Sequence, residues 1–159
     1  MDNVPTLIKG GLASDDRGVV RFVNDFRFDG VKRFYVLENW RSGFVRAWHG
    51  HTREAKWVTV TRGVALVCAV SIPEMETWLD DLGSLKEFNV FPGTVHKFIL
   101  CEQQPAMLCI PPGYANGSMA LVDGTQIVHF SSMTMEETAG DDLRWPWDAI
   151  PGVWEEQQR

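Results

Sequence analysis

The sequence predicts an all-β fold, in which short antiparallel strands form a single-domain sandwich or β-barrel. Short runs rich in Val, Ile, Phe, Tyr and Trp recur along the chain, and turn signals such as FDGV, TRGV, FPGT, PPGY and VDGT separate them. No window of about a dozen residues shows the 3.6-residue period of an amphipathic helix. A chain of 159 residues suits one domain with a sizeable core, and no repeat or linker divides it. We therefore expect one domain over residues 1–159.

Each strand is predicted from one such run. In chain order the runs are Gly18–Val23, Val31–Leu37, Gly43–Trp48, Lys56–Thr61, Val64–Ile72, Val95–Leu100, Ala106–Ile110, Met119–Val122 and Gln126–Ser131. Asp123-Gly124 predicts a type I′ hairpin turn between the last two strands. Helix is expected at most as single turns near residues 132–139 and 147–150. The tail, residues 140–159, contains RWPW and is expected to pack back as a wall or lid.

Composition disfavours several classes of protein. The net charge is −6 with only 15 Lys and Arg, whereas a protein that binds nucleic acid usually presents a basic surface. No apolar run approaches the ~20 residues of a membrane span, and the N-terminus lacks the pattern of a secretory signal. Cys68, Cys101 and Cys109 are an odd number of cysteines in apolar sequence, which favours reduced thiols in a cytoplasmic protein.

The candidate site is the stretch GFVRAWHGHTREAKWVTVTRG, residues 43–63. His49 and His51 are two residues apart, so on a strand both imidazoles point to the same face. Lys56 follows and adds an ammonium to the same region. A metal site would need three or four converging carboxylate or imidazole ligands, and a protonated lysine cannot be one of them.

This stretch resembles the first signature of the cupin superfamily, small β-barrels of the jelly-roll type. Metal-binding cupins have a glutamate where this chain has Lys56. The second cupin signature ends in a histidine, and the matching segment here, PPGYAN, ends in Asn116. Two of the four metal ligands expected from the resemblance are therefore missing, and we expect a cupin jelly-roll barrel without metal or cofactor.

A closer resemblance covers most of the chain. The segments VRAWHGH, KWVTVTRG and IPPGYANGSMAL, together with an early DRG, are similar to the dTDP-4-dehydrorhamnose 3,5-epimerase family. Its members are metal-free, dimeric cupins that act on nucleotide-linked 4-keto-6-deoxy sugars. The resemblance implies a nucleotide-diphosphate sugar as substrate and a homodimer, and it allows residues 1–30 to be exchanged between subunits. It also implies a role in deoxysugar or cell-surface polysaccharide biosynthesis.

The family's functional residues map onto several positions of this chain. By this resemblance His49 matches the catalytic base and Lys56 the lysine that stabilises the enolate. Arg46 and Arg17 match the arginines that hold the diphosphate, with Arg17 reaching the neighbouring subunit's site. The aspartate that orients the base is best matched by Asp148, with Asp141 and Asp142 as weaker substitutes. His51, Arg62 and Asn116 complete the candidate substrate-binding set.

One departure from the family concerns the proton donor. The family has a catalytic tyrosine in the strand QIVHFS, where this chain has His129 and no tyrosine. Either His129 or a water supplies the proton, or the protein performs part of the reaction. Met135 also stands where the family has an aromatic ring that stacks on the base, so the preferred nucleotide is left open.

The chemistry of a 4-keto sugar suits these residue types. The ketone acidifies the hydrogens on C3 and C5, so epimerisation needs a base, donors at the enolate oxygen and an acid. A histidine with an ordinary pKa of about 6.5 can act as that base at neutral pH. The alternatives to an epimerase are a 3,4-ketoisomerase, which His51 favours slightly, a non-catalytic sugar-binding cupin, and a metal-dependent cupin that uses His49 and His51.

Overall fold

The fold consists of twelve strands and one short helix in a computed structural model that describes residues 3–78, 91 and 93–155. In chain order these elements are β1 Thr6–Lys9, β2 Gly11–Asp15, β3 Gly18–Phe22, β4 Arg33–Asn39, β5 Val45–His51, β6 Lys56–Arg62, β7 Val64–Ser71, α1 Ile72–Trp78, β8 His96–Cys101, β9 Ala106–Ile110, β10 Tyr114–Ala120, β11 Thr125–Ser131 and β12 Leu143–Arg144. Within the described residues, no helix combines the length and the hydropathy that crossing a membrane requires.

Two antiparallel five-stranded sheets face each other. The first has the strand order β1-β9-β6-β11-β4, and the second has the order β12-β5-β10-β7-β8. The chain crosses repeatedly from one sheet to the other, as in a jelly roll, so strands that follow one another in sequence are seldom hydrogen-bonded partners. The all-β jelly-roll prediction is confirmed. β2 and β3 form a separate two-stranded ribbon.

Three apolar clusters stabilise this arrangement. Val58, Leu108 and Ile127 are fully buried between the inner faces of the two sheets. A second cluster surrounds Trp48 and Ile150, where α1 and the C-terminal segment cover the outer face of the second sheet. The third, formed by Phe26, Trp57, Met107, Cys109 and Ala55, lies on the outer face of the first sheet. Ile150, Val153 and Trp154 belong to the second cluster, so the C-terminal segment is part of the core. Burial of each large apolar side chain contributes about 1.5–3 kcal/mol to the free energy of folding.

The predicted hairpin at Asp123-Gly124 is wrong. β10 and β11 belong to different sheets, so the turn crosses between sheets and does not join paired strands. A type I′ turn needs positive φ at both central residues, and only Gly124, at φ 69°, has it. The Asp123 carboxylate instead accepts a hydrogen bond from the Ser42 N–H at 2.7 Å, which ties this turn to the β4–β5 loop.

The sequence did not predict the helix of this fold. Residues 132–139 and 147–150, where helix was expected at most as single turns, form turns and bends, and the helix among the described residues is α1. The segment SIPE has the S-x-x-E spacing of a helix start, and the Ser71 hydroxyl contacts the Glu74 carboxylate at 2.6 Å. With only seven residues, α1 is too short to display a helical period in the sequence.

β10 begins earlier than predicted, directly after the Pro-Pro-Gly turn. Its sequence, YANGSMA, has few β-branched residues, which is why the strand was recognised only at its end. Its small residues have a packing reason: a Cβ on Gly117 would lie 2.3 Å from the Ala47 Cβ on β5. The pairing of β10 with β5 shifts register at this point, between Asn116 and Ser118. Close approach of the two backbones, rather than strand propensity, therefore selects the residues of β10.

Candidate active site

A cavity of about 460 Å³ lies between the two sheets, where β4 ends the first sheet and β12 and β5 end the second. Side chains from β4, β5, β6, β10, β11 and the C-terminal segment line it. The polar and aromatic residues among them are Arg33, Tyr35, Arg46, His49, His51, Lys56, Asn116, Ser118, His129, Thr138, Asp142, Arg144 and Trp147. Seven groups that carry or can carry positive charge therefore converge from different strands, and Asp142 is the acidic side chain that lines the cavity.

The two histidines of β5 face this cavity, as their spacing predicts. His49 is half-buried and His51 is buried. Asn116 lies opposite His49 in the pairing of β10 with β5, and its amide donates to the His49 carbonyl at 3.0 Å. Asn116 thus holds the backbone of β5 at the level of His49 and also lines the cavity.

Lys56, the first residue of β6, is buried with its ammonium against His51. Its Nζ lies 2.9 Å from His51 Nε2, within hydrogen-bond distance. Burial lowers the pKa of Lys56, the carboxylate of Glu54 opposes that change, and Arg33 adds to it. Lys56 is buried because it is the first residue of β6, a strand whose next residues, Trp57 and Val58, are also buried, and because its side chain lines the cavity between the sheets.

The other side of His51 faces oxygen atoms. His51 Nδ1 lies 2.5 Å from the Asp141 carbonyl and 3.1 Å from Glu54 Oε2. The buried Glu54 carboxylate also accepts from Arg33 at 3.2 Å and from the Ser131 hydroxyl at 2.5 Å. Glu54 and Arg33 were not among the predicted site residues; the alternation of apolar and polar residues in β4 would have placed Arg33 on the same face as Tyr35.

His49 is kept neutral by its surroundings. Burial lowers its pKa, and the positive charges of Lys56 and Arg144 lower it further, while Asp142 opposes them. Its imidazole is therefore unprotonated at pH 7 and able to accept a proton.

His129, the predicted replacement for the family tyrosine, lines the cavity wall from β11. It is 5% exposed, and neither ring nitrogen has a hydrogen-bond partner among the described residues. Burial, followed by the charges of Lys56 and His49, lowers the pKa of His129 to about 3. His129 is thus a neutral ring at physiological pH, and its two nitrogens are buried without a partner among the described residues.

Tyr35 on β4 supplies a phenol that the sequence analysis missed. It pairs with His129 across β4 and β11, and the two rings stack with centroids 4.9 Å apart and planes 2° apart. Burial, with the charge of Glu54 as a further cause, raises the pKa of Tyr35 to about 12, so its hydroxyl stays protonated. No local motif marks Tyr35, because its position depends on the pairing of distant strands.

Two arginines reach the rim of the cavity. Arg46 is exposed, and its Nε donates to the Asn39 side chain at 2.9 Å. Arg144 is also exposed and forms an ion pair with Asp142 at 2.7 Å. Arg46 was predicted, and Asp142 was named as a weaker substitute for the aspartate that orients the base, whereas Arg144 was not assigned.

The structure does not bring three of the predicted residues to the cavity. Asp148 lies exposed in a turn outside it, and Asp142 takes the acidic position at the site. Arg62 is at the far end of β6, about 20 Å from Lys56 at the rise of a strand. Arg17 lies in the turn of the β2–β3 ribbon, where it forms an ion pair with Asp15 at 2.5 Å.

The described residues contain no cluster of three or more His, Cys, Asp or Glu side chains able to hold a metal ion. Both nitrogens of His51 already have partners, so that ring offers no free lone pair. The arrangement instead suits a ligand with a carbonyl or anionic oxygen, which the ammonium, imidazoles and arginines can receive.

Comparisons with known proteins add the fold family. Neither a family model nor a curated protein matches the sequence. Among solved structures, dTDP-4-dehydrorhamnose 3,5-epimerase from Bacillus anthracis, with TDP and PPi bound, has a TM-score of 0.72 at 17% identity, covering 97% of this chain and 86% of that one. The enzyme of that name from Sulfolobus tokodaii has a TM-score of 0.68 at 24% identity, covering 94% and 82%.

This chain has the dTDP-4-dehydrorhamnose 3,5-epimerase fold. A 3,4-ketoisomerase from Thermoanaerobacterium thermosaccharolyticum, in complex with TDP-4-keto-6-deoxyglucose, is also similar, with a TM-score of 0.64 and 18% identity over 91% of this chain and 89% of that one. The resemblance noted in the sequence segments therefore extends to the whole epimerase fold.

Proposed function

We propose that the protein is a metal-free epimerase of a nucleotide-linked 4-keto-6-deoxy sugar, acting at C3, C5 or both, in deoxysugar or cell-surface polysaccharide biosynthesis. The observation that carries the proposal is a neutral imidazole, His49, in the same cavity as a buried ammonium, Lys56. Removal of a proton next to a ketone needs these two groups together.

In this mechanism His49 accepts the proton from the carbon beside the ketone. The electrons of the broken C–H bond move to the carbonyl oxygen, and Lys56 donates a hydrogen bond to the resulting enolate. Because Lys56 is buried, its ammonium stabilises the developing charge more strongly than a solvent-exposed lysine would. A proton then returns to the opposite face of the carbon, which inverts it.

We propose Tyr35 as the donor of that second proton. Its hydroxyl is protonated and lines the cavity, and solvent can restore the proton after transfer. His129 is a poor acid in this role, because with a pKa of about 3 it carries no excess proton at neutral pH. Its neutral ring instead supports Tyr35, on which it stacks with the two ring centroids 4.9 Å apart.

The nucleotide diphosphate would lie at the rim of the cavity. Arg46 and Arg144 present two guanidinium groups there, and guanidinium is well matched to phosphate oxygens. We propose that Arg17 of a second subunit adds a third, in a homodimer that covers the β2–β3 ribbon. The dimer is supported by the exposed apolar side chains of this ribbon, Leu12, Val19, Val20 and Phe22.

We propose a cytoplasmic location, because the three cysteines are free thiols and the cytoplasm keeps thiols reduced.

A 3,4-ketoisomerase is the second candidate. It uses the same abstraction at C3 but returns the proton at C4, while the C3 hydroxyl loses its proton and the C4 oxygen gains one. In addition, β11 of this chain has no tyrosine. One structurally similar protein is a 3,4-ketoisomerase. A sugar-binding protein without activity is the third candidate.

One incubation separates these candidates. The protein is mixed with dTDP-4-keto-6-deoxyglucose in D2O, and the sugar is analysed by NMR and mass spectrometry. We expect deuterium at C3, C5 or both together with the inverted sugar. Transfer of the keto group to C3 would establish the ketoisomerase, and binding without deuterium incorporation would leave a sugar-binding protein. Incorporation that is lost on chelation and restored by a metal would overturn the metal-free mechanism.

A further inference from the structure

Asp141 lies just outside the cavity and holds the C-terminal segment against the β5–β6 loop. It is 2% exposed, and its carboxylate accepts hydrogen bonds from three successive backbone N–H groups, those of Thr52 at 2.8 Å, Arg53 at 3.0 Å and Glu54 at 3.2 Å. The Thr52 hydroxyl adds a fourth at 2.5 Å. Converging backbone N–H groups of this kind form a nest that favours an anion. Although burial opposes it, these hydrogen bonds lower the pKa of Asp141.

The backbone carbonyl of the same residue decides the tautomer of His51. His51 Nδ1 faces two acceptors, the Asp141 carbonyl and Glu54 Oε2, so Nδ1 must carry a proton. In the neutral ring the lone pair is then on Nε2, and this atom lies 2.9 Å from Lys56 Nζ. His51 therefore accepts from the ammonium of Lys56.

The opposite tautomer would place an N–H of His51 against the N–H groups of Lys56. Two donors cannot bond to each other, so Lys56 would have to lose its proton or turn away. With the Nδ1–H tautomer, one N–H of the ammonium is fixed by His51 and the other two can serve the cavity. The remaining titratable or charged groups that act on Lys56 or respond to it are Arg33, His49, Glu54, His129, Asp142 and Arg144.

We propose that Asp141 is a positioning residue that acts through His51 to hold the Lys56 ammonium charged and directed into the cavity. The role of that ammonium at the enolate rests on the proposed function, whereas the contacts among Asp141, His51 and Lys56 do not. We call the series of contacts from Asp141 through His51 to Lys56 the relay. Of its side chains, only Lys56 needs to touch the reacting atoms.

The variant Asp141→Asn tests this proposal. The amide can accept at one atom only, so its NH2 group would oppose the backbone N–H groups of Arg53 and Glu54 and loosen the segment. The matched control is Asp123→Asn, which removes another carboxylate that accepts from a backbone N–H, far from the cavity. Full-length proteins labelled with 15N are studied by NMR, which reports the His51 tautomer and the titration of Lys56. The pH dependence of deuterium incorporation is measured alongside.

In the wild-type protein we expect His51 protonated at Nδ1. In Asp141→Asn we expect a mixture of tautomers, a lower pKa of Lys56, and an alkaline limb of the activity profile that moves to lower pH with it. The control should match the wild type in all three. An Nε2–H tautomer in the wild type would overturn the proposal, and so would an Asp141→Asn protein of reduced activity whose tautomer and Lys56 pKa are unchanged.

Two features keep the test decisive. If Asp141→Asn does not fold, the wild-type tautomer still supports or overturns the relay. Because both NMR measurements need no substrate, failure of the relay is distinguishable from failure of the proposed function, which would appear as no deuterium incorporation into the 4-keto sugar.

Discussion

His49 has the properties that a base for this chemistry needs: it faces the cavity, it is half-buried, and it is neutral at pH 7. We expect His49→Gln to slow deuterium incorporation by about 10²–10⁴-fold, the usual contribution of a general base, without loss of the fold. The control is His96→Gln, since His96 packs against Tyr114 away from the cavity. Wild-type incorporation in His49→Gln, measured by NMR in D2O, would exclude His49 as the base.

Tyr35 and His129 can be separated by the two halves of the reaction. Tyr35→Phe keeps the stack on His129 but removes the hydroxyl, so we expect proton removal to continue while inversion falls by about 10²-fold or more. The measured quantity is the ratio of inverted sugar to deuterium incorporated, with Tyr114→Phe as the control. If His129→Phe abolishes inversion and Tyr35→Phe does not, the donor is His129.

The lowered pKa of His49 sets the acid limb of the activity profile. Burial and the charges of Lys56 and Arg144 disfavour the imidazolium, so the proton leaves at a pH below 6.5 and the base form is present above it. Replacing Arg144 by Gln removes one positive charge and frees Asp142, and both changes favour the imidazolium. We expect the acid limb of kcat/KM to move to higher pH in Arg144→Gln and to stay in place in Arg53→Gln. A shift in the opposite direction would contradict this account of the electrostatics.

At the level of the elements, the contact between β5 and β10 shapes the cavity wall that carries His49. Gly117 lets the two strands approach, since a Cβ there would lie 2.3 Å from the Ala47 Cβ and 3.0 Å from the Arg46 carbonyl. We expect Gly117→Ala to reduce the free energy of unfolding by about 1–3 kcal/mol, as overpacking does, and to reduce activity by displacing His49. Denaturant unfolding measures the first effect.

A second substitution checks the cause of that loss. Ala47→Gly removes the Cβ on the other strand, so adding it to Gly117→Ala should recover part of the stability, even though glycine in a strand itself costs about 0.5–1 kcal/mol. Additive losses in the double variant would mean that the two positions do not clash.

For the whole molecule, the β2–β3 ribbon is one of the surfaces on which apolar side chains are exposed in the isolated chain. Val20 is 65% exposed beside Arg17, which the proposed dimer would bring to the partner's cavity. We expect Val20→Asp to shift the protein from dimer to monomer and to raise the KM for the nucleotide sugar. Sedimentation and kinetics measure these changes, with Val122→Asp, an exposed valine elsewhere, as the control. A wild-type protein that is monomeric and fully active would contradict the exchange of this ribbon.

Much of the fold could be predicted from local sequence, with instructive exceptions. The runs of β-branched and aromatic residues identify most strands because a half-buried pleated surface selects them residue by residue. Most of β10 was not predicted as a strand, because its small residues are required by the close approach of a neighbouring strand. The helix α1 was not predicted, because one or two helical turns are too short to show a helical period in the sequence. The Asp123-Gly124 turn was misread because a turn motif does not specify to which sheets its flanking strands belong.

The residues of the candidate site also fall into two groups, those that the sequence predicted and those that only the tertiary structure identified. His49, His51 and Lys56 could be assigned from their spacing, since the two-residue period of one strand and the start of the next place them at one cavity wall. Sheet order places Tyr35 next to His129 and keeps Arg62 away from the cavity. The path of the C-terminal segment brings Asp141 to His51 and Asp142 towards His49, and it leaves Asp148 outside. These contacts join residues far apart in sequence, so side-chain chemistry and local period could not predict them, and only the packing of the two sheets settled which groups share the cavity.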